Sequence, residues 1–311
     1  MKKMKESIGI FLIVAVILSV SGCVENESLK TWNDQTKIAN DYALKGTDYI
    51  TQAENKIDNK DYEESLSLLD NGIEQLNLSI SAGEKALSYA GDTGMDFLTE
   101  YTNAYINNKK ELKEYAENLK NYAMVMILIE NGKNVGDKLN ETGNFISTAE
   151  NTEDYSKARE NFQNAKNNVP EIKQSIETMI KYGTLMELDV YVQYIGKIST
   201  LVDKLEEVCD EGIGWAEANM NNDQEQVTAH LQAYGNLAAD INQIAGELSQ
   251  MQIQYPYLQG KKGEYTLNIL ADLRDEYKSA YEDHINKAIE YKNKMEEIEK
   301  AHPDKIKKQE E

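Results

Sequence analysis

The sequence has few of the residues that build catalytic centres and metal sites. Its 311 residues include only 3 His, 2 Cys and 3 Pro. Two Cys exclude a scaffold held together by several disulfides, and so few His leave little for a histidine-rich metal centre. Neither a phosphate-binding glycine loop, nor a Gly-x-Ser-x-Gly elbow, nor a His-Glu-x-x-His motif is present. The sequence therefore predicts no catalysis, no metal and no cofactor.

Positive charge is also scarce. The chain carries 54 Asp and Glu against 33 Lys and Arg, so its formal net charge is −21. Nucleic acids and anionic membrane surfaces both attract clusters of Lys and Arg. The composition therefore argues against nucleic acid as a partner and against recruitment to a membrane by charge. Because neighbouring acids such as Glu206 and Glu207 point to different sides of a helix, we interpret them as part of a solvated face.

The first residues have the pattern of a secretory signal. Three Lys precede an apolar run of 13 residues from Ile8 to Val20. A membrane-spanning helix needs about 20 residues, so this run fits the apolar part of a cleaved signal instead. The segment Val20-Ser21-Gly22-Cys23 comes next, and it resembles the lipobox of bacterial and archaeal lipoproteins. The resemblance covers only these first two dozen residues, and an ordinary cleaved signal with an unrelated Cys is the alternative.

The lipobox resemblance implies where the protein is located. In that family the signal is removed and the Cys carries a diacylglyceryl lipid, which here assigns lipidation to Cys23. Loss of residues 1–22 would remove three Lys and Glu6, and would take the net charge from −21 to −23. A two-chain lipid holds a protein on a membrane stably without any help from charge. We therefore expect an extracytoplasmic protein of the cell membrane or envelope, attached to the membrane through Cys23 alone.

The remainder of the chain has apolar residues at alternating steps of four and three. This 3.5-residue period is typical of the seam of a coiled coil. The clearest seam runs through Tyr62, Leu66, Leu69, Ile73, Leu76, Ile80, Gly83, Leu87 and Ala90. No stretch combines alternation of period two with β-branched residues, as a strand would. We predict an all-α fold of seven helices joined by short turns, which form one or two elongated antiparallel bundles with coiled-coil-like heptad seams.

Helix ends are predicted from local signals. Asp61 with Glu64 has the spacing of a capping box, and Gly91–Gly94 reads as a turn. Pro170 suits the first turn of a helix, which we expect to continue to about Met220. Between these points the chain is expected to loosen at three glycines, Gly132, Gly136 and Gly143.

These signals predict five segments along the chain. Residues 1–22 are the signal, and residues 23–31 are a lipidated tether. Residues 32–169 form an N-terminal helical bundle, and residues 170–300 form a bundle of long helices, with a soft boundary near Pro170. Residues 301–311 are a charged tail.

Two segments resemble the second helix of a tetratricopeptide repeat. The better of them contains Asp154-Tyr155, Ala158, Phe162, Ala165 and Pro170, and the weaker one starts at Asp61-Tyr62. The pattern of the first helix is missing at both places. Because solenoids need contiguous repeats, two distant half-motifs do not predict one.

Tyrosine is unusually abundant, with 19 Tyr against 4 Phe. Many of these tyrosines lie on seams, and a buried tyrosine hydroxyl needs a hydrogen-bond partner. Their hydroxyls can reach water at the edge of a thin bundle, or they can line a hydrated groove for a peptide or glycan.

A separate candidate is the loop after residue 254, which is either a simple connector or a partner-contact loop formed by Tyr255, Tyr257, Leu258, Lys261 and Lys262.

The few nucleophilic and metal-ligating side chains do not by themselves indicate a catalytic or metal site. His230 and His284 have no acid three or four residues away on their own helix, so only another helix could supply one. Cys209 follows the seam residue Val208, and we expect it to be buried as a small apolar residue.

The functional prediction follows from anchoring and shape. We expect an envelope lipoprotein whose helical ectodomain is a binding or scaffolding module for an unknown envelope protein or glycan. The alternative is a ligand sensor or solute-binding component that uses a tyrosine-lined groove. A single convergent pocket bordered by seam tyrosines from several helices would favour the alternative, whereas filled seams without a dominant pocket would favour a scaffold.

Overall fold

The computed structural model describes residues 27–260 and 266–303. Over this part of the chain it is all-α, with no strand and one isolated antiparallel bridge between Gly260 and Leu267. Seven long helices pack antiparallel in sequence order, which confirms the predicted fold class. They are α1 (Glu27–Asp58), α2 (Tyr62–Ala90), α3 (Asp96–Glu150), α4 (Tyr155–Leu185), α5 (Asp189–Met220), α6 (Gln224–Gln254) and α7 (Asn268–Ala301).

Some predicted features lie outside the described residues. Cys23 and the signal-like segment before it are among them, and so are Lys261 and Lys262. None of the described helices has an apolar stretch of the length and hydropathy needed to cross a membrane.

The helices form two compact units. The first contains α1, α2, the part of α3 that ends at Met124, and α7 from Arg274 onward. The second runs from Val125 to Leu273. Pro170, near which we expected a boundary between two bundles, lies inside this second unit.

The core of the first unit follows the predicted seams. Leu69, Leu76 and Ala90 on α2 are fully buried, as the 3.5-residue period requires. The seam of α3 includes the polar Asn108, which is also fully buried. Its side-chain amide donates a hydrogen bond of 2.7 Å to the carbonyl oxygen of Ala288 on α7. This bond satisfies a polar group inside the seam and fixes the register of α3 against α7.

The three glycines expected to loosen the chain do not interrupt it. Gly132, Gly136 and Gly143 all lie inside α3, which is continuous from Asp96 to Glu150. Each glycine costs a helix about 1 kcal/mol relative to alanine. The buried Leu128, Val135 and Ala149 of the same helix supply packing that outweighs this cost.

The prediction that a helix starts at Pro170 is wrong. Pro170 lies in the interior of α4, which begins at Tyr155 and continues to Leu185. A proline removes one backbone hydrogen bond from a helix. Here the proline is exposed, while Val169 and Ile172 beside it are buried and hold the helix in place.

The helix break falls instead after Leu185, so the predicted long helix from residue 170 to about Met220 is two helices. Glu187 adopts φ of 58°, a left-handed conformation that only a few per cent of non-glycine residues show. Its neighbours close the end of α4, because the amide of Leu188 donates to the carbonyl oxygen of Gly183 at 2.9 Å.

The predicted turn at Gly91–Gly94 is confirmed, since Gly94 there has φ of 71°.

Helix caps agree with the sequence only in part. Asp61 precedes α2, but its side chain forms no capping hydrogen bond, so the predicted capping box is wrong. Its carboxylate instead lies 3.8 Å from the ammonium group of Lys56. Asp154 does cap α4, because its carboxylate accepts hydrogen bonds from the backbone amides of Ser156 at 3.0 Å and Lys157 at 3.2 Å.

A small aromatic core lies where α4 packs on α5 in the second unit. Phe162 is almost completely buried among Ala149, Ala158 and Ala216. Its ring lies directly on the backbone of Gly212, where an added Cβ atom would be 2.6 Å from three ring carbons. Ala158 and Phe162 of the tetratricopeptide-like segment are therefore explained by local packing among these helices.

Candidate ligand-binding site

The second unit contains a cavity of about 360 Å³. Its wall comes from α3, α4, α5 and the first turn of α7, together with residues on both sides of the loop that precedes α7. Most of the wall is aliphatic, with contributions from Leu128, Val135, Met179, Ile195, Ile198 and Leu270. Pockets of about 300–1,000 Å³ with apolar walls and a few polar groups are typical of small-molecule sites.

Two glycines of α3 help to make the space. Gly132 and Gly136 both line the cavity, one helical turn apart on the same face. A Cβ atom on Gly132 would be 3.5 Å from Cε of Met179, and one on Gly136 would meet nothing within 4 Å. Gly132 and Gly136, which do not interrupt α3, therefore leave space for the cavity beside that helix.

Two hydroxyl groups in the wall have no hydrogen-bond partner among the described residues. They belong to Tyr191 on α5 and to Thr266, and both oxygens are buried. A buried polar group left without a partner costs about 1–3 kcal/mol, and such groups are rare in folded proteins. Burial also raises the pKa of Tyr191, so its hydroxyl stays protonated and can donate.

A second tyrosine of the wall is held by a neighbouring helix. The hydroxyl of Tyr194 accepts a hydrogen bond of 2.8 Å from Nε2 of Gln252 on α6. The same nitrogen lies 3.4 Å from the carbonyl oxygen of Leu258 in the turn after α6. Tyr194 was predicted on a seam, and this network fixes its ring at the cavity wall.

The wall has a distinct electrostatic character for so acidic a protein. Among the described residues that line the cavity, Lys133 on α3 is charged, and no Asp or Glu is present. Lys133 is exposed, which places its charge where the cavity meets solvent. The cavity thus has a largely apolar wall with one lysine, while the hydroxyl oxygens of Tyr191 and Thr266 are buried behind its surface.

The predicted partner loop borders this cavity in part. The rings of Tyr255 and Tyr257 are 5.8 Å apart, and Tyr257 is exposed. Leu258, in contrast, is fully buried and is not presented on the surface of the loop. It anchors the loop to the interior, and the loop then leads to Gly260, which lines the cavity.

The two histidines considered as metal ligands each meet a single acid from another helix. Nδ1 of His230 is 2.7 Å from Glu211, and Nδ1 of His284 is 2.7 Å from Glu111. No group of three or more His, Cys, Asp or Glu within the described ranges could hold a metal ion. Cys209 is buried as predicted, and burial raises the pKa of its thiol to about 12.

Several buried tyrosines have protein partners rather than water. In the first unit the hydroxyl of Tyr101 donates to Glu299 at 3.2 Å, that of Tyr115 donates to the buried Glu54, and that of Tyr105 lies 2.8 Å from the hydroxyl of Ser79. The expectation that seam tyrosines reach water at the bundle edge is wrong for these three. In the second unit Tyr234 donates to Glu150 in the same way.

A buried lysine of the first unit had no signal in the sequence. Lys109 is fully buried, and its ammonium group donates to Oδ1 of Asn108 at 2.9 Å. It also lies 5.0 Å from the ring centre of Tyr105, a favourable position for a cation. Burial, assisted by the nearby charge of Lys292, lowers the pKa of Lys109 to about 7.

The cavity of the second unit is the best candidate for a functional site. Its wall is largely aliphatic and includes the exposed Lys133, and two buried hydroxyls without a partner among the described residues lie beside it. Comparisons with protein-family models, with curated proteins and with solved structures find no match to this chain. Its function is therefore inferred from the chemistry of this site.

Proposed function

We propose that this protein is a lipid-anchored envelope protein that acts by binding and not by catalysis, and that its second unit holds a small, largely apolar ligand. The observation that carries the proposal is the cavity of about 360 Å³ with its largely aliphatic wall. The lipobox-like segment that ends at Cys23 supports the anchoring.

The size of the cavity favours ligand binding over a purely structural role for the second unit. Its volume of about 360 Å³ lies in the range of about 300–1,000 Å³ that is typical of small-molecule pockets. A bundle whose only task is support gains nothing from such a space, whereas a binding protein needs it.

The first unit fits the scaffolding part of the expectation. Its seams are filled by large side chains, such as Trp32, Tyr105 and Tyr115, that leave almost no exposed surface. We therefore propose that the first unit serves as a rigid support and that recognition takes place in the second.

Ligand binding is tested by filling the cavity from α3. Gly132→Leu places an aliphatic side chain in the wall, whereas Gly143→Leu makes the same change on the same helix outside the cavity. An apolar fluorescent probe should bind the wild type at one site per chain. We expect Gly132→Leu to abolish this binding and Gly143→Leu to retain it. Equal binding by both variants would show that the cavity is not the site.

Anchoring is tested with the two cysteines. Wild type should incorporate a fatty-acid tracer and partition into the detergent phase, and Cys209→Ser should behave in the same way. Cys23→Ser should lose the label and either become soluble or accumulate as uncleaved precursor. A Cys23→Ser protein that is correctly cleaved, unlabelled and still membrane-bound at high salt would contradict the proposed anchor.

A further inference from the structure

We infer that the second-unit cavity holds one straight hydrocarbon chain, which belongs to an amphiphile whose polar head stays in solvent. This inference rests on the proposed ligand-binding function and specifies the chemical class of the ligand. Three features of the cavity point to it: its length along the helices, the scarcity of free polar groups in its described wall, and its opening to solvent.

The cavity is long and narrow. Its lining includes residues from every turn of α3 between Leu128 and Leu139, and residues of α5 from Tyr191 to Ile198. At a rise of 1.5 Å per residue, the lined stretches are about 16 Å of α3 and about 10 Å of α5. A volume of about 360 Å³ spread over these lengths has a mean cross-section of about 20–35 Å², which corresponds to a width of about 5–7 Å.

This width suits a single hydrocarbon chain. Carbon atoms in contact lie about 3.5–4.0 Å apart, so two chains side by side need about 8 Å. Carbon–carbon bonds of about 1.5 Å advance an extended chain by about 1.25 Å per atom, so the lined stretches match about 8–13 carbons. The wall is aliphatic along this path, and Met179 can adapt its shape to a flexible chain.

Free polar groups are scarce along the described wall. The hydroxyl oxygens of Tyr191 and Thr266 are buried behind its surface, and that of Tyr194 already accepts a hydrogen bond from Gln252. A polar group of the ligand inside the cavity would therefore lose its hydrogen bonds to water without replacement. This disfavours a glycan, which carries a hydroxyl on nearly every carbon, and favours a segment made of methylene groups.

The cavity opens to solvent along α3. Lys133 and Gly136 both line it, and both are exposed. A head group placed at this opening keeps its hydration while the chain enters the apolar interior. The site therefore selects the chain by length and width and is indifferent to the identity of the head.

The first test uses a series of alkyl maltosides from hexyl to tetradecyl, each below the concentration at which it forms micelles. Calorimetric titration of the full chain should show one site. Affinity should rise about fourfold with each added methylene, which is equivalent to about 0.8 kcal/mol. The rise should stop at a chain of about 8–13 carbons, because further methylenes remain in water.

The second test compares decanol with cyclodecanol. The two probes have the same number of carbons and the same hydroxyl group, but the ring folds its carbons into two strands side by side. Decanol should bind about tenfold more tightly, because the ring is wider than the cavity.

A matched pair of variants on α5 locates the chain. Ile198 and Leu205 are both half-buried and lie two turns apart on the same face, but only Ile198 lines the cavity. Ile198→Ala lengthens the space at one end, so the chain length at which affinity stops rising should increase by about two carbons. Leu205→Ala should leave that length unchanged. Thermal unfolding checks that each variant folds, and Ile198→Val is the milder substitute, with a smaller increase expected.

The outcomes separate the two proposals. Equal or tighter binding of cyclodecanol, or binding of decanol without binding of decyl maltoside, would overturn the inference and leave the proposed ligand-binding function intact. A chain-length limit that Ile198→Ala and Ile198→Val do not move would overturn it by placing the chain elsewhere. If none of these probes binds, the inference is wrong, and the fluorescent-probe comparison of Gly132→Leu with Gly143→Leu decides whether the proposed function also fails.

Discussion

The contact between Phe162 and Gly212 allows a sharp test of the α4–α5 packing. Any side chain at residue 212 collides with the phenyl ring, because an added Cβ atom would be 2.6 Å from three of its carbons. Gly196 lies on the same helix, and a Cβ atom there meets nothing within 4 Å. The same substitution to alanine should therefore have opposite effects at the two positions.

The magnitudes follow from two opposing contributions. Alanine in place of glycine stabilises a helix interior by about 1 kcal/mol, and this is the expected effect of Gly196→Ala. At Gly212 the ring must move by about 1 Å to restore an ordinary carbon–carbon contact. Phe162 is enclosed by Ala158 and Ala216, so this overpacking costs about 1–3 kcal/mol. We expect Gly212→Ala to be destabilising by up to about 2 kcal/mol after the gain in helix propensity.

The assay is urea unfolding followed by the fluorescence of Trp215, which packs on the same core. All variants carry Trp32→Phe, so that emission reports the second unit alone. A further substitution, Phe162→Leu, should relieve most of the penalty of Gly212→Ala, and the double-mutant cycle measures this coupling. If Gly212→Ala stabilises the unit as much as Gly196→Ala does, the ring does not lie on the glycine and the packing of α4 on α5 is wrong.

Three further predictions concern the interior. Because the pKa of Lys109 is lowered to about 7 from its usual 10.5, the unfolded chain binds a proton between these pH values that the folded chain does not. Stability should therefore rise with pH across this window, by at most about 1.4 kcal/mol per pH unit, and Lys109→Met should flatten the rise in pH-dependent unfolding curves. In a Cys23→Ser background, Cys209 should resist a thiol reagent until urea unfolds the protein, since burial raises its pKa to about 12; rapid reaction in the native state would contradict this. Leu69→Asp should lose several kcal/mol in urea unfolding, whereas the exposed Glu74→Ala should change stability by under about 0.5 kcal/mol, and equal losses would refute the seam.

The heptad pattern predicted the helices well because it records which face of each helix is buried. Leu69 and Leu76 are buried, as their heptad spacing predicts. Glycine, proline and capping residues predicted the helix ends less well, because tertiary packing overrides their local preferences. Pro170 and the glycines of α3 lie inside helices because their buried neighbours stabilise those helices. The break at Glu187 contains neither glycine nor proline, so the sequence did not predict it.

The candidate site was only partly predictable for a different reason. Tyr194 was identified on a seam, and the loop beside the cavity was singled out by its tyrosines. Lys133, Tyr191 and Thr266 are far apart in sequence and belong to no motif. They line one cavity only because the helices that carry them pack together, and no spacing within a single helix records that fact.

The pairing of tyrosines with carboxylates explains why this chain uses tyrosine where most bundles use leucine or phenylalanine. A purely aliphatic seam can slide by one heptad and still bury every side chain, so several alignments have similar energies. Tyr101 with Glu299 and Tyr115 with Glu54 limit that freedom, because a slide would separate two buried tyrosines from these partners and would do the same to the buried Glu54. The tyrosines thus help to fix the alignment between helices. A chain with phenylalanine at these positions would keep its hydrophobicity, but it would lose the hydrogen bonds that distinguish the native alignment from one shifted by a heptad.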